Sequence, residues 1–171
     1  MAVVDSAYRF VLIDVGAEGR QSDGGVFKAS EIGRGLENGT LNVPDVGRLP
    51  RCQFPRQAPY AFVGDEAFQL RPDFLRPYPG KDLTGETRVY NYRLSRARRC
   101  VENAFGITAA RWRILLRTIN VVPRNVDYVV KAACVLHNFL VVHHEHPEGY
   151  ADRDDSLGNV VRGGGGGGVE G

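Results

Sequence analysis

From residue 91 to residue 144 the chain carries two apolar stripes at helical spacing, parted by Pro123. The residues before them offer only short apolar runs cut by glycine and proline. Leu94, Ala97, Val101, Ala104, Phe105, Thr108 and Trp112 recur at steps of three and four, which predicts one long helix over residues 91–116. Val126, Val129, Val130, Ala133, Cys134, Leu136 and Leu140 repeat the pattern over residues 124–144, and Pro123 stands where a first helical turn tolerates a missing N–H. Short strands followed by two long helices predict an α/β fold.

The opening MAVVDSAYRFVLIDVG reads as a hairpin, with a stub at residues 2–4, a turn at 5–7 and a full strand at 9–15. Phe10, Val11, Leu12 and Ile13 are continuously apolar, as in a strand covered on both faces. The stub is short against the roughly five or six residues of a typical strand, so the sheet is expected to lack its beginning. Residues 16–25 (GAEGRQSDGG) form a glycine-rich loop, and 26–36 a helix whose main part opens at Ser30 and Glu31. Residues 38–59 are punctuated by proline and are expected to run as a surface excursion. A buried strand over 60–64 then ends at Asp65. Prolines at 72, 77 and 79 limit the next segment to a short helix and a turn. From His146 the chain turns polar and reaches six consecutive glycines. One domain over residues 1–145 with a disordered tail over 146–171 is the expectation.

The formal charge of +2 is almost neutral, but its distribution is not. Only Lys28, Lys81 and Lys131 among the 22 basic residues are lysine, and eight arginines lie between Arg88 and Arg117 against a single acid, Glu102. Arginine suits planar, bidentate contact with phosphate or carboxylate, so a polyanionic partner is expected. Arg93, Arg96, Arg98, Arg99, Arg111 and Arg113 are the candidate nucleic-acid contacts; a solvated helix face with apolar stems beneath explains the same residues. Cys52, Cys100 and Cys134 have no CxxC spacing and read as reduced thiols. Neither a signal segment nor an uninterrupted apolar stretch of membrane-spanning length is present, which leaves nucleus or cytoplasm as the expected setting.

Asp65 closes the apolar run YAFVGD, where strands of open α/β sheets present catalytic carboxylates. A turn-forming Asp that accepts backbone N–H bonds is the plainer alternative. Glu102 sits near the edge of the first helical stripe, four residues after Arg98, so a surface ion pair competes with a role at a site. Gly106 in mid-helix marks a place where a backbone or ligand comes close. Asp23 in GRQSDGG is either a third acid or the cap of the following helix. Asp14 is either an inward strand carboxylate or an edge partner for an arginine. His143, His144 and His146 end a helix, where cations are favoured without any metal.

DVGAEGRQSDGGVF, FVGDEAFQLRPDFLRPYPG, YNYRLSRARRCVENAFGITAARWRIL and ACVLHNFL, in this order, resemble the DDE-superfamily endonucleases of the PIF/Harbinger transposase group and host proteins derived from them. The similarity runs over residues 2–144. It implies a ribonuclease H-like mixed sheet flanked by helices, here missing its first strand. It also implies that Asp65 matches the second catalytic acid and Glu102 the third, with Asp23 an additional acid at the metal site. The resemblance implies Mg²⁺ or Mn²⁺ as cofactor, DNA as partner and substrate, a separate Myb-like DNA-binding protein as a second partner, and the nucleus as location. The first acid belongs to a DGxH segment, which these 171 residues do not contain, so cleavage by this chain is expected to be impaired. A non-catalytic remnant that binds nucleic acid or protein is the alternative.

Overall fold

The computed structural model describes residues 1–16, 23–49, 54, 56–143, 153–154 and 160–161. Its elements are β1 (Ala2–Val4), β2 (Phe10–Ile13), α1 (Asp23–Ala29), α2 (Glu31–Glu37), β3 (Val46–Arg48), β4 (Gln57–Pro59), β5 (Phe62–Val63), β6 (Phe74–Leu75), α3 (Gly85–Arg111), a 3₁₀ turn (Arg113–Leu116), α4 (Pro123–His143), β7 (Arg153–Asp154) and β8 (Val160–Val161). The fold is mixed α/β. Its strands, of two to four residues, pair only in twos, giving four separate sheets among the described residues instead of the single mixed sheet expected. The chain divides into two compact units, residues 17–98 and residues 1–16 with 99–171. Helix α3 begins in the first and ends in the second.

In the unit of residues 1–16 and 99–171, β1 and β2 form the antiparallel hairpin, with Ala2 opposite Ile13 and a shift of register between Val3 and Val4. Asp5 fills the turn: Oδ1 accepts from the amides of Ala7 and Arg9 at 2.9 and 3.0 Å, and Oδ2 from Arg9 Nε at 2.7 Å. Phe10 is 6% exposed but Val11 is 58% exposed. The strand expected to be covered on both faces therefore has one open face, as alternation across a two-stranded ribbon dictates. Phe10, Ala104 and Cys134 form the core, with Ala2, Val4, Tyr8, Ile13 and Val130 packed on it.

Helix α4 grips this hairpin through two polar side chains. Asn138 accepts from the Phe10 amide with Oδ1 and donates to the Phe10 carbonyl with Nδ2, each at 2.8 Å, as a neighbouring strand would. His137 has no exposed surface and lies with Nε2 2.7 Å from the Tyr8 carbonyl, so Nε2–H is the donor. Tyr8 takes a left-handed φ of 63° to present that carbonyl. By length and apolar composition α4 passes as a membrane span, against the expectation from sequence; 17% of its apolar window is buried, and these bonds fix one face of it to the hairpin. Its buried residues include His137 where Leu136 was expected; Leu136, like Phe105 on α3, is about half exposed, while Ile107 is buried. The α4 stripe turns slightly because Asn138 faces Phe10 of β2 and His137 faces Tyr8 in the turn before it.

In the unit of residues 17–98, Ser30 caps α2 by accepting from the Gly33 amide at 2.9 Å, as its position before Glu31 predicted. The single helix expected over 26–36 is thereby two. Gly33 is required, since a Cβ there would lie 1.9 Å from the Phe27 carbonyl. β3 and β4 pair antiparallel inside the stretch expected to run as a surface excursion. β5 and β6 pair parallel, and β6 occupies the place expected for a short helix. Phe27, Phe62, Phe68 and Phe74 form a chain of ring contacts with centroids 5.0 to 6.3 Å apart, each pair contributing about 0.5–1.5 kcal/mol beyond burial. Asn91 on α3 holds the Tyr78 amide and carbonyl at 2.8 and 3.0 Å, the same device as Asn138.

Cys100 and Cys134 are free thiols, half-buried and buried, and burial pushes both pKa values up. Cys52, His144 and His146 lie outside the described residues, as does the 146–171 tail apart from the antiparallel pair β7 and β8. No other backbone approaches Gly106 among the described residues, where a Cβ would meet nothing within 4 Å.

This packing has two measurable consequences. Burial, with a smaller contribution from Arg111, lowers the His137 pKa below its ordinary 6.5, against the opposing bond to Tyr8. Stability contributed by the neutral ring is thus complete above pH 6.5 and lost as pH falls below it. Urea midpoints should fall between pH 7.5 and 5, and His137→Gln should flatten that slope. Gly64 carries the second consequence, since a Cβ there would lie 2.5 Å from Phe74 Cε1 and 2.8 Å from Phe68 Cδ2. Gly64→Ala should cost about 1–3 kcal/mol in chemical denaturation.

Candidate functional site

Asp65 follows β5 because the strand ends at Gly64, whose amide makes the last ladder bond, to the Leu75 carbonyl at 2.9 Å. The chain then turns tightly. Asp65 Oδ1 accepts from the Ala67 amide at 2.9 Å, and the Asp65 carbonyl accepts from the Phe68 amide at 3.3 Å. This is the Asx turn that the residue type allows. Oδ2 is left facing Arg98, 3.8 Å from Nη2, with the Asp65 side chain 34% exposed. The sequence posed a choice between turn former and site carboxylate; Oδ1 makes the turn, and Oδ2 pairs with Arg98.

The turn is packed from below by the aromatic rings. Phe68 stacks on Phe74 at 5.0 Å and meets Phe27 edge-on at 5.4 Å. Gly24 approaches so closely that a Cβ there would lie 2.6 Å from the Ala67 carbonyl. Asp23 opens α1 as the residue before Gly24, so the first turn of α1 and the Asp65 turn meet within one unit. A cleft of about 450 Å³ beside them is lined by Gly24, Gly25, Lys28, Ala67, Arg71 and Arg76 among others. Within it Arg71 makes a two-pronged bond to Asp73 at 2.8 and 3.1 Å, which holds the Asp73 carboxyl below its usual range.

Glu102 is exposed on α3, in the unit that does not contain Asp65. The six candidate arginines are also divided. Arg93, Arg96 and Arg98 belong with residues 17–98, and Arg99, Arg111 and Arg113 with the other unit. Arg93, Arg96 and Arg113 are exposed, and Arg96 lies over the Tyr92 ring at 5.9 Å. Arg111 differs, for its Nη1 is buried, and its charge acts on His137. Asp14 pairs its backbone amide with the Met1 carbonyl at 2.8 Å, extending the hairpin.

A carboxylate with one oxygen fixed by an amide and the other facing Arg98 at 3.8 Å has the hard-donor chemistry of a Mg²⁺ or Mn²⁺ ligand, and fits one corner of such a site. Among the described residues no group of three or more His, Cys, Asp or Glu stands together to complete it. Sequence reasoning missed the residues that fix the turn, Gly24, Gly64 and Arg76. The glycines left a trace in the motifs GDE and SDGG, whereas nothing in FLRPYPG singled out Arg76.

Residues 1–138 match the family described as DDE superfamily endonuclease. The chain is also 32% identical over 142 residues to the Arabidopsis thaliana protein named Protein ALP1-like, covering 82% of this chain and 34% of that relative. It thus spans about a third of the length of the curated relative it matches. No solved structure matches it. Enzymes of the DDE type generally use divalent metal ions. On a match that takes in every element from β1 to most of α4, the chain belongs to the DDE superfamily of endonucleases.

Proposed function

We propose that these residues form part of a Harbinger-type, ribonuclease H-like nuclease that hydrolyses DNA phosphodiester bonds. The observation that supports this most is the Asp65 turn, a strand-end carboxylate held by its own backbone beside Arg98, inside the matched region. Asp65 and Glu102 are the two acids of the triad that this sequence contains, and Asp23 is an accessory ligand. When bound, Mg²⁺ or Mn²⁺ supplies Lewis acidity and charge neutralisation at the scissile phosphate.

The chain's own groups orient and neutralise. Asp65 offers Oδ2 as a ligand while the Ala67 amide stops the carboxylate from rotating. Arg93, Arg96, Arg98, Arg99 and Arg113 draw the phosphate backbone to α3 and the turn after it, and Arg111 contributes charge from a more enclosed position. DNA, a Myb-like DNA-binding protein and the nucleus complete the proposed setting.

Supercoiled plasmid incubated with the chain and Mn²⁺ should be nicked slowly, since these residues supply two acids of three. Asp65→Asn and Glu102→Gln should each lower the rate by at least about tenfold, or 1.4 kcal/mol in the barrier. Nicking that both variants retain would contradict the assignment. Salt-sensitive DNA binding with no nicking would point to nucleic-acid binding without turnover.

A further inference from the structure

The turn that presents Asp65 is gripped from outside by Arg76. Its Nη1 donates to the Glu66 carbonyl and to the Phe68 carbonyl, each at 3.1 Å. Both of those hydrogens are then committed to the protein, so this nitrogen is not a phosphate contact. Between the two carbonyls lies Ala67, whose amide holds Asp65 Oδ1 at 2.9 Å and whose carbonyl is the one that Gly24 approaches. Arg76 is itself anchored, because the Tyr90 hydroxyl donates to its carbonyl at 3.3 Å and Asn91 clamps Tyr78 two residues on. The guanidinium is therefore a fixed strut to the Glu66–Ala67 peptide and to the Phe68 carbonyl beyond it.

The Glu66 carbonyl and the Ala67 amide belong to one peptide, so rotation of that peptide, which the bond from Arg76 opposes, would turn the Ala67 amide away from Oδ1 and free the carboxylate to spin. We propose that Arg76 is a positioning residue for Asp65, holding the turn so that Oδ2 is the oxygen presented to a divalent cation. This rests on Asp65 being a cation ligand. Groups that orient a ligand from behind typically change metal affinity by about 10–100-fold when removed.

The test compares the full chain with Asp65→Asn, Arg76→Gln and Arg76→Lys, reading Mn²⁺ affinity by electron paramagnetic resonance and Ala67 amide hydrogen exchange by NMR. The expected result is loss of Mn²⁺ binding in Asp65→Asn. Arg76→Gln should weaken affinity by about tenfold and speed Ala67 exchange. Arg76→Lys, which keeps a donor, should fall between Arg76→Gln and the unmodified chain in both readouts, and decides the matter if Arg76→Gln fails to fold. Mn²⁺ affinity that Asp65→Asn abolishes and both Arg76 variants retain would overturn the positioning role alone. Mn²⁺ affinity unchanged in Asp65→Asn, or absent from the unmodified chain, would overturn the ligand assignment and the positioning role with it.

Discussion

A carboxylate that rotates freely makes a poor cation ligand, and the tight turn of residues 65–68 is what prevents rotation here. One side-chain oxygen is spent on the Ala67 amide, two flanking carbonyls are held by one guanidinium nitrogen, and the third is crowded by Gly24. Below it, the rings of Phe68 and Phe74 fill the space that Gly64 leaves. The side chain is thus oriented by backbone contacts rather than by its own flexible torsions, which is the arrangement a preorganised ligand needs.

Strands this short cannot be secured by their ladders alone. The chain answers with side-chain amides that bond like a strand. Asn138 holds both backbone groups of Phe10, and Asn91 both of Tyr78, each from a long helix. His137 adds the Tyr8 carbonyl. Helices whose own hydrogen bonds are complete thereby take over part of the work of neighbouring strands, and the small sheets gain fixed positions within their units.

The long helices were legible because their stripes repeat over many turns, and the cap at Ser30 because its chemistry is local. Asp65 was legible as a strand end that turns. β3, β4 and β6 were not, since two or three residues carry no periodicity and prolines flank them. The roles of Asn138 and His137 escaped because the residues they bond lie 128 and 129 positions away. Arg76 escaped for a related reason: in sequence it is one arginine among many, and only the folded turn shows which carbonyls it meets. The resemblance of the motifs carried the DDE superfamily, and the family match over residues 1–138 agrees at that level.

Asp65 as a ligand for a divalent cation is the claim at the centre of this account. Paramagnetic broadening of backbone NMR signals during a Mn²⁺ titration tests it most directly. The amides of Gly64, Asp65 and Glu66 are expected to fade first, and Mg²⁺ in excess to restore them. Broadening confined to other segments, or none at all at Asp65, would contradict that claim.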